Sequence, residues 1–211
     1  MIIVFSPLIG AIALLFKNKS TDFLSSIIAN SAIGISMLLS LWLFILYISG
    51  HNVSESHLVY TWYATSGYFF EIGLLVDSLT IVMSFIVTFI SFFVHMYSIA
   101  YMKGDPSFKR FFIYTNFFTF SMLFIIFSNN FLQLFIGWEL VGLSSYLLIG
   151  FWYNKPSAVS ANLKAFVVNR VGDIGLLLGV ILILITSNSL NYTDFFDKLP
   201  LLRDNTINLL G

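Results

Sequence analysis

The sequence contains no cysteine, which excludes disulfides, thiolate nucleophiles, cysteine-ligated iron–sulfur clusters and cysteine-based zinc sites. Its three histidines, His51, His57 and His95, are too scattered along the chain to suggest a metal centre. Charge is also scarce, because only 9% of the 211 residues are charged, against roughly 25% in a soluble domain. Ten basic and ten acidic residues cancel, so the sequence offers no polybasic surface for nucleic acid.

Apolar residues are correspondingly abundant. They account for 58% of the chain, which has 24 phenylalanines and a mean hydropathy of +0.92. A soluble core of this size cannot hide so much apolar surface, since small proteins bury only part of the surface of the chain. The composition therefore predicts a membrane protein whose main partner is the lipid bilayer.

Six segments satisfy, or nearly satisfy, the need of a membrane-spanning helix for about 20 mostly apolar residues. They are Ile2–Phe16, Leu24–Ile48, Val76–Tyr101, Phe111–Phe127, Phe131–Trp152 and Ala161–Thr186. These lengths exclude barrel strands, which have roughly 10 residues. The predicted fold class is an all-α polytopic membrane protein with about six transmembrane helices. Residues 1–65 hold the first two spans and an outer loop, residues 66–187 the next four, and residues 188–211 a further outer loop or tail.

Basic residues outside the predicted spans indicate the orientation. Six of the eight fall on one side and two on the other, which predicts that the N-terminus lies outside. The first group is Lys17, Lys19, Lys103, Lys109, Arg110 and Lys155, and the second is Lys198 and Arg203.

Glu139 lies near the middle of the fifth predicted span, within the apolar stretch "GWELVGLSSYLLIGFW". A charge at that depth costs at least about 2.5–3.5 kcal/mol, so such residues usually face a bundle interior or a hydrated path. The carboxylate is either a proton-carrying group or a hydrogen-bonded group that fixes helix packing. Tyr146 shares its helix face and is expected to donate a hydrogen bond to it or to a nearby water.

The sixth predicted span contains a polar strip in "NLKAFVVNRVGD". Arg170 and Asp173 lie three residues apart, share a helix face and can neutralise one another. This pairing either only allows the helix to insert or also tunes Glu139. Asn169 widens the strip, whereas Lys164 is nearer the inner end, where a lysine can reach the interface and is either structural or functional.

Two further polar residues belong to the third predicted span. Asp77 stands three residues before Thr80, where an aspartate can cap the start of a helix. His95 lies well inside the span and is either a proton relay or a structural histidine held by hydrogen bonds.

Four stretches resemble, in order, one family of membrane proteins. They are "GLLVDSLTIVMSFIVTFISFFVHMYSIAYM", "RFFIYTNFFTFSML", "NNFLQLFIGWELVGLSSYLLIGFW" and "KAFVVNRVGDIG". The family comprises the antiporter-like membrane subunits of proton-pumping NADH–quinone oxidoreductase, respiratory complex I. The sequence is most similar to the N-terminal portion of the chain called L in bacteria and chain 5 in mitochondria.

This resemblance implies roles for individual residues. Glu139 would be a proton carrier that pairs with a lysine on the following span, beyond residue 211. Arg170 and Asp173 would form the ion pair that tunes it. Residues 66–187 would begin the antiporter-like proton-translocating domain, so that the chain forms the N-terminal part of an antiporter-like helical bundle.

The resemblance also implies a setting. The chain would act as a translocase subunit beside other membrane subunits of complex I, in a bacterial plasma membrane or the mitochondrial inner membrane. It would hold no cofactor or metal itself, while NADH, FMN, iron–sulfur clusters and quinone act on other subunits. Two alternatives remain: a fragment of the large subunit of a multisubunit cation/proton antiporter, or a truncated, non-conducting remnant. The tail that ends in "NLLG" suggests a fragment.

The topology can be tested with cysteines placed at Ser66 and Ser107, since the sequence has no cysteine of its own. We expect a membrane-impermeant thiol reagent to label them from opposite faces of sealed vesicles. Labelling of both from the same face would contradict the six-span topology.

Overall fold

The computed structural model describes residues 1–17, 21–51, 53, 55–65 and 68–202. Six helices lie at the six predicted spans: α1 (Ile2–Phe16), α2 (Asp22–Ile48), α3 (Ser78–Tyr101), α4 (Phe108–Ile126), α5 (Phe131–Ile149) and α6 (Pro156–Ser187). The helical membrane fold is thus confirmed. Three residues used in the predictions, Lys19, Ser66 and Arg203, lie outside the described part.

Four of these helices, α2, α3, α5 and α6, are long and apolar enough to cross a bilayer by length and composition alone. Helix α1 is apolar but has only 15 residues and contains Pro7. Helix α4 is not among the four, and Lys109 and Arg110 in its first turn lower its mean hydropathy. The lengths and compositions of α1 and α4 are weaker evidence that these helices cross the membrane. Both pack against other helices of the bundle.

Short polar side chains define where several helices begin. The carboxylate of Asp77 accepts a hydrogen bond from the Thr80 backbone N–H at 2.7 Å, which is the predicted cap of α3. Asn130 does the same for α5, where its side-chain oxygen accepts from the Gln133 N–H at 2.7 Å. Such caps satisfy backbone donors that have no partner within the helix.

The loop between α2 and α3, which the sequence assigns to the outer side, contains an antiparallel hairpin, β1 (Glu55–Thr65) and β2 (Tyr68–Val76). Residues 58–63, "LVYTWY", are rich in the aromatic and β-branched residues that favour strands. The register shifts after Leu58 and after Thr61. Because such irregularities interrupt the alternation of apolar and polar residues, the sequence pattern alone did not reveal the hairpin.

The hairpin holds the start of α5. Gln133 Oε1 accepts a hydrogen bond from the Gly73 N–H at 3.0 Å, and Asn130 Nδ2 donates to the Glu71 carbonyl at 2.8 Å. Gly73 lies so close to Asn129 that an added Cβ would be 2.0 Å from the Asn129 amide nitrogen. Strand β2 therefore fixes the position from which α5 runs toward Glu139.

Two basic residues in the first turn of α4 connect it to two other segments of the chain. Lys109 Nζ donates to the Lys17 carbonyl at 2.7 Å, and Arg110 Nη2 donates to the Phe151 carbonyl at 3.1 Å. The ends of α1 and α5 that the sequence assigns to the inner side therefore meet at the start of α4. The side of the membrane on which they lie stays a prediction.

Helices α1 to α4 form the enclosed part of the bundle, and small polar residues line their contacts. Ser36 of α2 donates to the Ile3 carbonyl of α1 at 2.7 Å, and Ser40 of α2 is hydrogen-bonded to Thr88 of α3 at 2.6 Å. Small residues and hydroxyls are typical of helix contacts in membranes, where they allow close approach and interhelical hydrogen bonds.

Helix α5 packs against α4, and α6 packs mainly against α5 at the edge of the bundle. Beyond α6, the structure adds a helix to the predicted tail, α7 (Tyr192–Leu202). Its first residue, Tyr192, is hydrogen-bonded to Ser128 at 2.9 Å, which ties the tail to the end of α4. The polar residues predicted on the fifth and sixth spans thus lie on α5, which packs against α4, and on α6, which is peripheral.

Two glycines of α5 provide a test of this packing. Gly137 faces α4 so closely that an added Cβ would be 2.6 Å from Ile125 Cγ1, whereas Gly142 has no such neighbour within 4 Å. We expect Gly137→Ala to lower the free energy of unfolding in detergent by about 1–3 kcal/mol, the usual cost of overpacking. Gly142→Ala is the control and should be neutral or stabilising, because alanine is the better helix former. Equal destabilisation by both substitutions would contradict the proposed contact.

Candidate functional site

The centre of the candidate site is an ion pair between adjacent helices. Arg170 Nη1 on α6 donates to Glu139 Oε2 on α5 at 2.5 Å. The Glu139 side chain is 24% exposed and that of Arg170 51% exposed in this chain. The structure thus brings together two of the residues predicted from sequence, and an arginine within the described chain contacts the carboxylate directly.

Asp173 is the second acidic partner of the same arginine. Its Oδ2 lies 3.8 Å from Arg170 Nη1, the atom that contacts Glu139. Asp173 is only 7% exposed, and its Oδ1 accepts a hydrogen bond from the Trp138 indole N–H at 3.1 Å. Consecutive residues on α5, Trp138 and Glu139, therefore bind residues one helical turn apart on α6.

The Trp138 contribution was not anticipated from the sequence. Its place beside Glu139 was the available signal, since a tryptophan in an apolar span carries an indole N–H that needs an acceptor where water is absent. The carboxylate across the helix interface supplies that acceptor. We infer that Trp138 holds Asp173 in position, while Arg170 is shared by the two carboxylates.

One aromatic ring packs against the guanidinium. Arg170 Cζ lies 5.2 Å from the ring centroid of Phe166, within the range of a cation–π contact. Tyr146, which was expected to donate a hydrogen bond to the carboxylate or to a water beside it, packs edge-on against Phe166 with centroids 5.4 Å apart. Its contribution is therefore to support the arginine through Phe166.

The other polar residues of α6 lie beside this cluster. Lys164 is exposed, and no carboxylate of the described residues lies within ion-pairing distance of it. Asn169 lines a cavity of about 320 Å³ between α5 and α6, together with Trp138 and Gly172. Within the polar strip of the sixth span, Arg170 and Asp173 thus take part in ion pairs, whereas Lys164 does not.

His95 belongs to a different place in the bundle. It is 2% exposed on α3, and its Nδ1 is hydrogen-bonded to the Ser91 carbonyl at 2.7 Å. Its ring faces Phe112 of α4, with centroids 6.0 Å apart. It therefore lies between α3 and α4, whereas the ion pair lies between α5 and α6.

The charges of the cluster do not balance. Arg170 contributes one positive charge, and Glu139 and Asp173 contribute two negative charges when both are ionised. Among the described residues, no other cation lies within ion-pairing distance of either carboxylate. The cluster can therefore accept one proton or one further cation without leaving a net charge in an apolar region. The described residues include no group of three His, Cys, Asp or Glu that could hold a metal ion.

Two family models match the sequence. Residues 62–112 match the NADH-ubiquinone oxidoreductase (complex I) chain 5 N-terminus, and residues 128–211 match the transmembrane family of NADH:quinone oxidoreductase and Mrp antiporters. Together the matches cover well over half of the chain and include Glu139, Arg170 and Asp173.

Relatives with curated names agree. NADH-quinone oxidoreductase subunit L of Neisseria meningitidis serogroup B is 46% identical over 99% of this chain and 32% of its own length. NADH-ubiquinone oxidoreductase chain 5 of Dictyostelium citrinum is 42% identical over 97% of this chain and 31% of its own length. The chain thus spans about a third of the length of these relatives.

A solved structure shares the fold. One chain of the archaeal membrane-bound sulfane sulfur reductase, a respiratory membrane complex, superimposes with a TM-score of 0.77 at 18% identity. The match covers 92% of this chain and 38% of that one. The class of protein is therefore a multi-pass helical membrane protein with an antiporter-like transmembrane bundle.

Within that class, the chain belongs to the family of the antiporter-like complex I subunits L and chain 5, as part of their N-terminal portion. This is the family that the four ordered motifs resemble. The membrane is accordingly an energy-transducing one.

A double-mutant cycle tests whether the ion pair acts as a unit. Glu139→Gln and Arg170→Gln should each lower the free energy of unfolding, because the first removes the nearer acceptor of Arg170 and the second leaves two carboxylates without a cation. The double variant should cost less than the sum by about 0.5–3 kcal/mol, the usual coupling of residues in contact. Denaturant titration in detergent measures it.

The control cycle combines Glu139→Gln with Lys164→Gln. These two changes should add, since the described structure places no carboxylate near Lys164. Additivity of the Glu139 and Arg170 changes would contradict a direct interaction.

Proposed function

We propose that this chain is part of a membrane subunit that translocates protons in NADH–quinone oxidoreductase, with Glu139 as the proton carrier. The supporting observation is the sharing of Arg170 between Glu139 and Asp173 inside two apolar helices. A fixed ion pair needs one carboxylate only. A second one at 3.8 Å gives the arginine an alternative partner.

The proposed step is a small movement of the guanidinium. An adjacent positive charge stabilises the ionised form of a carboxylate, and burial favours the neutral form. Arg170 stays charged in either position, because arginine does not lose its proton in proteins. When the guanidinium moves toward Asp173, Glu139 loses its counter-charge and takes up a proton. When it returns, the proton is released.

The excess negative charge of the cluster supports a third participant. The resemblance implies a lysine on the span that follows, and such a cation would replace Arg170 beside one of the carboxylates. We propose that arrival and departure of this lysine drive the arginine between its two partners. Lys164 has no carboxylate of the described residues within ion-pairing distance, which leaves it available as a group at the inner entrance.

We further propose that no redox cofactor binds to this chain. The described residues pair their buried polar groups mainly with one another, and the sequence has no cysteine for a cluster. NADH, FMN, iron–sulfur clusters and quinone would act on other subunits. The partners of this chain would be other membrane subunits, which can cover the outward apolar side chains of α6 such as Val168, Val171 and Ile185.

A cation/proton antiporter would use the same cluster without redox coupling. The description of the second family model includes Mrp antiporters. The match of residues 62–112 to chain 5, and the names of the relatives, favour the respiratory enzyme. The experiment on Glu139 separates the two, because only the respiratory function is driven by NADH.

The proposed function is tested with Glu139→Gln in the intact protein, assembled in membrane vesicles. We expect proton uptake per NADH oxidised to fall by at least about tenfold. Loss of an acid–base group usually slows proton transfer by about 10²–10⁴-fold. Dye quenching measures uptake, and absorbance measures NADH oxidation.

Glu71→Gln makes the same chemical change in the hairpin, outside the cluster, and should leave the ratio unchanged. An unchanged ratio in Glu139→Gln, with normal assembly, would contradict the role of this residue. Cation-driven proton exchange without any NADH dependence would favour the antiporter.

A further inference from the structure

A cavity of about 260 Å³ lies between α3 and α4, apart from the ion pair on α5 and α6. Its walls are mainly apolar, but four polar side chains reach it: Ser91, His95, Thr115 and Thr119. Among the described residues that line it, none is Asp, Glu, Lys or Arg. His95 is therefore the one lining residue that can change its charge near neutral pH.

The hydrogen bond of His95 defines the state of its ring. A carbonyl oxygen can only accept, so the Ser91 carbonyl at 2.7 Å places a proton on Nδ1. The other nitrogen, Nε2, is then an acceptor in the neutral ring. It is buried and has no hydrogen-bond partner among the described residues. Buried polar atoms nearly always have a partner, and an ordered water is the usual one when no protein group is present.

Hydroxyl groups line the same cavity as this histidine. The Thr119 hydroxyl donates to the Thr115 carbonyl at 3.0 Å, and its oxygen lies 3.2 Å from Ser91 Oγ, whose proton it can accept. Further along α3, Thr88 is hydrogen-bonded to Ser40 of α2 at 2.6 Å. The buried face of α3 is thus polar over several turns, and His95 is its only titratable member within the described chain.

We propose that the α3–α4 cavity is a water-filled proton site, in which a water binds His95 Nε2, gives a proton to it and later takes that proton back. Each water occupies about 30 Å³ of liquid, so the cavity has room for several, and His95 Nε2 offers an unpaired acceptor to one of them. This site is separate from Glu139 and would give the bundle a second place where a proton can rest. The pumping part of the inference rests on the proposed function, whereas its hydration does not.

Hydration is tested with two cysteine variants of neighbouring residues. Val94 is 48% exposed and lines the cavity, whereas Phe93 is 54% exposed and does not. A charged methanethiosulfonate reagent reacts with the thiolate, which forms only where water reaches the sulfur, so we expect Val94→Cys to react about tenfold or more faster than Phe93→Cys. Mass spectrometry of the peptide from the intact assembled protein measures the rate. Equal rates would overturn the proposal, because the cavity would then be closed to water.

The role of the histidine is tested with His95→Gln, which keeps a polar group of similar length but cannot take up a proton. We expect normal assembly and proton uptake per NADH oxidised lowered by about tenfold. Ser98→Ala, on the same buried face of α3 but away from the cavity, is the control and should behave as the unmodified protein.

Normal pumping by His95→Gln would overturn the relay and leave His95 as a structural residue. Failure of the proposed function is recognised separately, since it would appear as normal pumping in Glu139→Gln. The labelling comparison retains His95 and needs no pumping, so it decides hydration even where His95→Gln fails to assemble.

Discussion

The arrangement of α5 and α6 depends on one guanidinium shared by two carboxylates. Arg170 reaches Glu139 on the neighbouring helix and Asp173 on its own, through the same nitrogen atom. In an apolar environment, removal of one partner leaves a charge that water cannot solvate, which is why paired charges there are costly to break. The link is therefore strong enough to hold a helix and, because it has two acceptors, can also be rearranged.

The rest of the fold supports one side of this link more than the other. Helix α5 is held at its start by Gln133 and strand β2, and along its length by the close contact of Gly137 with Ile125. Helix α6 lies at the edge, and Trp138 and Arg170 supply the polar contacts between the two helices. Glu139 thus has a fixed position, while its counter-charge is carried by the less enclosed helix. This is the arrangement that a proton carrier with a movable partner requires.

The sequence predicted the helices well, because apolar length is a local property that survives any packing. It also predicted the polar residues of the site, since a charge is conspicuous in an apolar run. The partners were harder to predict: Trp138 binds Asp173, and Tyr146 contacts Phe166 instead of Glu139. Which side chains meet depends on the rotation of each helix about its own axis, and a single sequence does not specify that rotation. The hairpin was missed because its register shifts interrupt the alternation.

The charge imbalance relates the two proposed proton sites to one another. Two carboxylates and one arginine leave one negative charge, and an apolar region makes that charge expensive unless a proton or a cation accompanies it. His95 has the opposite property, since it is neutral when empty and positive when it holds a proton. A cluster that is negative without a proton and an imidazole that is positive with one are complementary in charge. Transfer of a proton from the proposed site at His95 to the carboxylate cluster would leave both of them neutral.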